Sequence, residues 1–87
     1  MSINVALLKQ ICEVPGVPGH EQKVRELVTK ELNGVVDSIT VDNMGNLIAL
    51  KKGKSSEKPV MAAAHMDEIG FIVSHIDDNG FLRFHPL

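Results

Sequence analysis

The sequence predicts an α/β fold: two amphipathic helices, then short strands, some pairing as hairpins and one buried. Three observations carry this. Apolar residues recur at helical spacing through the first third of the 87 residues. After Asn33-Gly34 the pattern changes to β-branched alternation. Finally, the small-residue apolar run Val60-Met61-Ala62-Ala63-Ala64 ends in His65-Met66-Asp67-Glu68. An apolar run bounded by loops reads as a buried strand.

Val5, Leu8, Ile11 and Cys12, with Leu7 beside them, give residues 3–13 one apolar face. Cys12 falls on that face and reads as core. Pro15-Gly16-Val17-Pro18-Gly19 then stops the helix and makes a tight connector. A second helix is expected from His20-Glu21, with the acid early and Lys30 late as the helix dipole favours. Its stripe is Val24, Leu27, Val28 and Leu32, and Asn33-Gly34 ends it. Residues 35–41 and 46–51 read as two strands joined by the turn Asp42-Asn43-Met44-Gly45. Residues 53–58 are a polar surface loop, and Pro59 leads into the strand 60–65. Residues 71–76 and 81–85 form a last hairpin around Asp77-Asp78-Asn79-Gly80. A lone two-stranded hairpin is marginal in water, so the chain is expected to continue past Leu87.

The net charge of −2, with Lys and Arg scattered, provides no basic stripe for nucleic acid. No apolar run approaches the roughly 20 residues that span a bilayer. Met1-Ser2-Ile3-Asn4 lacks the charged start and apolar stretch of a secretion signal. One cysteine permits no internal disulfide and suits a reducing cytoplasm.

Chemistry concentrates at His65 and Asp67. In an extended segment, residues two apart project from the same face, about 6–7 Å apart along the strand. An imidazole can ligate a metal, and ligating histidines commonly give their second ring N–H to a carboxylate or carbonyl. One imidazole does not complete a catalytic metal site, which needs three or more protein ligands. Glu68 would face away from Asp67 and reads as a surface or salt-bridging residue. His75 and His85, on opposite arms of the last hairpin, read as cross-strand packing, and His20 as an exposed helix start. Asp77-Asp78-Asn79-Gly80 lacks the alternating acids and distant Glu of a calcium loop and reads as a turn.

Ala63-Ala64-His65-Met66-Asp67-Glu68-Ile69-Gly70-Phe71 resembles the first metal-site segment of metallopeptidase family forty-two, the glutamyl and deblocking aminopeptidases with two co-catalytic metals. Residues 15–21, 41–49 and 77–84 are similar to family segments in the same order and spacing. The resemblance covers nearly the whole chain but about the first quarter of a typical member. It implies a zinc-peptidase-like mixed sheet, with residues 1–68 opening the catalytic α/β domain. Residues 69–87 would begin an inserted β-barrel-like dimerisation domain. It also implies His65 as a ligand of one zinc or cobalt ion and Asp67 as the catalytic-site carboxylate orienting the imidazole. The bridging Asp, a Glu-Glu pair and further Asp and His ligands would lie downstream. Peptides would be the substrates, with no nucleic-acid or membrane partner, and assembly would be a homo-oligomer, a dodecamer in the family. This chain alone is expected to be inactive and to bind metal weakly or not at all. Two alternatives stand beside this reading: a non-enzymatic, self-associating α/β module, and part of a related two-metal deacylase or carboxypeptidase. The paired acids of an endoglucanase cannot be placed in the sequence.

Overall fold

Two helices and two antiparallel hairpins make up the computed structural model, which describes residues 2–87. Helix α1 (Val5–Glu13) starts where the Asn4 side chain accepts the Leu7 N–H at 3.0 Å, a capping contact that satisfies one free amide of the first turn. Helix α2 (Gln22–Leu32) follows the connector and ends at Asn33. Strands β1 (Ser38–Val41) and β2 (Leu47–Leu50) pair from Ser38↔Leu50 to Val41↔Leu47. Strands β3 (Phe71–Ile76) and β4 (Leu82–Pro86) pair with a bulge between Val73 and His75.

The two turns are built alike. In the first, the Asp42 carboxylate accepts the Met44 and Asn46 N–H groups, each at 2.9 Å, and Gly45 takes φ 84°. In the second, Asp77 accepts from Asn79 and Phe81 at 2.9 Å, and Gly80 takes φ 83°. Each turn needs a carboxylate at its first position and glycine at the left-handed one.

Two expectations meet a different outcome. Residues 60–65 run without a strand partner, so the expected strand is absent and the two hairpins remain separate sheets. A strand buried on both sides exists only between neighbouring strands, and among the described residues no strand pairs with this segment. Cys12 is exposed rather than core, because nothing covers the apolar face of α1. In the last hairpin His75 lies opposite Arg83 and His85 opposite Ile72, on opposite arms as the sequence places them. Val24, at 4% exposure, is the only buried large apolar side chain among the described residues.

What packing there is serves one place. Gly16 sits on Val24 of α2, and a β-carbon at Gly16 would collide with that side chain. Gly70 sits equally close on Val17. Between these contacts the Glu68 N–H donates to the Gly16 carbonyl at 2.8 Å. Residues 66–70 are thereby clamped onto the connector and the start of α2.

Candidate metal centre

His65 and Asp67 stand at the entrance to that clamp. The His65 Nδ1 lies 2.8 Å from Asp67 Oδ1 and 3.0 Å from the Asp67 carbonyl oxygen. With the proton on Nδ1, the ring donates to both oxygens, and the lone pair of Nε2 is left free. The His65 side chain is 86% exposed and the Asp67 side chain 41%. The imidazole is therefore held from behind and open in front. That is the posture of a single metal-binding nitrogen with its tautomer fixed by a carboxylate.

The pair borders a concavity of about 210 Å³. Its other walls are Glu21 and Arg25 from the start of α2, and Met44, Gly45 and Asn46 from the first turn. Segments distant in the chain meet here because the Arg25 guanidinium donates to the Gly45 carbonyl at 3.2 Å. The same guanidinium lies 3.9 Å from Glu21. The Glu21 carboxylate also accepts the Gly19 N–H at 2.8 Å, fixing the connector. Composition gave no hint of Arg25 and Glu21 as site residues. Their i,i+4 spacing, a common helical ion pair, was the one available signal.

Glu68 is exposed and enters no ion pair among the described residues; its backbone is what acts, through Gly16. His20, His75 and His85 are also exposed and take no part in the site. Among the described residues no three His, Cys, Asp or Glu side chains gather in a way that could hold an ion. The donors present thus fit one position of a metal shell. They do not form a complete cage.

A family model described as M42 glutamyl aminopeptidase matches residues 45–87. The chain is similar to a lysyl aminopeptidase of Pyrococcus furiosus, 48% identical over 86 residues, covering 98% of this chain and 24% of that protein. A solved structure named as an endoglucanase of Thermotoga maritima superposes with TM-score 0.81 at 47% identity, covering 91% of this chain and 25% of that one. The PhTET1-12s structure, a dodecamer, superposes with TM-score 0.78 at 37% identity, covering 99% and 26%. The chain therefore spans about a quarter of the length of the relatives it matches.

Proposed function

This chain belongs to the M42 glutamyl aminopeptidase family, and we propose that His65 and Asp67 are its contribution to a two-metal aminopeptidase site that removes N-terminal residues from peptides. The observation carrying this reading is the 2.8 Å contact that backs an otherwise open imidazole. When bound, two divalent ions supply a polarised scissile carbonyl and a water acidified towards neutrality. Zinc and cobalt both suit an imidazole nitrogen with oxygen co-ligands. His65 would offer Nε2 to one ion. Asp67 would keep the Nδ1 proton in place and make the ring a stronger donor. The clamp through Gly16 and Gly70 would hold both side chains still. The remaining ligands and the general base would come from outside residues 1–87, so these residues alone would neither turn over peptide nor bind metal tightly.

The proposal extends to the setting. Residues 1–68 would open the catalytic domain and residues 69–87 an inserted β-rich domain. The working protein would be a cytoplasmic homo-oligomer, in keeping with the dodecameric neighbour. No helix among the described residues is long and apolar enough to cross a membrane.

The endoglucanase name of one neighbour suggests glycoside hydrolysis, which needs two carboxyl groups free to serve as acid and as base or nucleophile. The carboxylates lining this concavity are Glu21 and Asp67, and each is engaged, the first with Gly19 and Arg25 and the second with His65. That favours the peptidase reading. Side-by-side assays of the full-length protein, residues 1–87 together with the segments that would supply the remaining ligands, on a chromogenic aminoacyl substrate and on a soluble glucan test it. Metal-dependent aminoacyl turnover, abolished by His65→Ala, is expected. Glucan cleavage that survives the same substitution would sink the proposal.

A further inference from the structure

The concavity beside His65 exists only because something keeps the first turn in place. Met44, Gly45 and Asn46 line it, yet none of them belongs to the segment carrying His65. Met44 is 86% exposed and packs on nothing that would fix it. The turn's own hydrogen bonds, donated by Met44 and Asn46 to the Asp42 carboxylate, set its shape but not its direction relative to the rest of the molecule. Among the described residues one hydrogen bond ties the turn itself to another element, and a single side chain makes it. Arg25 reaches from α2 to the Gly45 carbonyl at 3.2 Å, and its other anchor, Glu21, stands 3.9 Å away. Both side chains are largely covered, at 20% and 22% exposure, unlike the solvent-exposed pair Lys9–Glu13 at 72% and 67%. Glu21 in turn holds Gly19 of the connector, and the connector holds Glu68 beside Asp67. A continuous chain of contacts therefore runs from the His65–Asp67 segment, through the connector and α2, to the turn across the concavity.

We infer that Arg25 is a positioning residue for this site: it fixes the Met44–Asn46 turn as the wall facing His65 across the concavity. The planar guanidinium suits the task, since it can hold a carboxylate and a carbonyl together, whereas an ammonium offers no such fork. The exposed Met44 side chain is then the apolar group that a substrate would meet on the side opposite the imidazole. The inference rests on the ligand reading of His65, and the test separates the two.

The test uses the full-length protein that carries residues 1–87, with isotope-labelled methionine methyl groups, loaded with cobalt(II) alone. Met66 lines the concavity on the His65 segment and Met44 lines it on the turn, while Met61 lies outside it. In the unaltered protein, cobalt is expected to shift or broaden the Met66 and Met44 methyl signals strongly. In Arg25→Ala, the effect at Met44 is expected to be lost while that at Met66 persists. Arg25→Lys should restore part of it. If Arg25→Ala is not recovered folded, Glu21→Gln carries the test, with the Met44 effect expected to weaken and the Met66 effect to stay. An unchanged Met44 effect in the folded variants overturns the positioning role and leaves the ligand reading standing. A Met44 signal insensitive to cobalt in the unaltered protein, beside a sensitive Met66, overturns it equally. Indifference of Met66 itself defeats the ligand reading and the inference with it.

Discussion

Whether His65 can serve a metal depends on which ring nitrogen carries the proton, and Asp67 decides that at 2.8 Å. Replacing Asp67 with Asn keeps the size of the side chain but offers a neutral oxygen or a competing N–H. Metal affinity of the full-length protein should fall about 10–100-fold, as for partners of ligating histidines in general. A cobalt titration followed by its visible spectrum measures this; unchanged affinity would show that Asp67 does not orient the ring. Asp42 gives a second residue-level expectation. The Asn46 side chain, then the Asn46, Met44 and Gly45 backbone N–H groups, hold its carboxyl below the ordinary carboxylate value. A group whose folded pKa is depressed stabilises fully above its unfolded value and ceases to do so as the pH falls through the folded one. The first turn should therefore loosen only in acid, below the ordinary carboxylate range. Protection of the Met44 and Asn46 amides against exchange, measured relative to their intrinsic rates, should fall there, and Asp42→Asn should remove that acid dependence.

At the scale of elements, the sequence was legible wherever local chemistry decides. Both helices, both hairpins and both turns follow from spacing, caps and glycine placement. Gly45 at φ 84° shows why the turns are firmly specified. Gly45→Ala should cost the first hairpin about 1–2 kcal/mol from the left-handed backbone alone. Its new methyl would also meet Arg25 Nη1 at 3.1 Å. Faster amide exchange across Ser38–Leu50 is the expected readout, and an undisturbed hairpin would contradict it. Residues 60–65 were misread for a physical reason. An apolar run states a wish to be buried, but only neighbouring strands can make it a strand. Val60 is 95% exposed here. The bulge at Ser74, which turns His75 towards Arg83, has no sequence signal as plain as a glycine. The Arg25–Gly45 contact was illegible for a similar reason: it joins residues twenty apart through a backbone carbonyl, and a carbonyl has no side-chain signature.

The whole molecule is open. Its radius of gyration is 17.7 Å and its accessible surface 8000 Å². A compact domain of this length would show about 12 Å and about 5,000 Å². One face of the last hairpin, with Phe71, Val73, Ile76, Leu82 and Phe84, lies largely uncovered, as do Val5 and Leu8 on α1. Every strand is also an edge strand, free to pair with another chain. These 87 residues in isolation should therefore self-associate, with sedimentation showing species larger than a monomer that grow with concentration. A stable monomer at high concentration would contradict that. The central claim is that His65 and Asp67 furnish one part of a two-metal site, and counting metal ions in the purified full-length protein that carries these residues tests it most directly. Two ions per chain are expected, falling to one or none in His65→Ala with the fold intact. A His65→Ala protein that retains both ions would contradict the account.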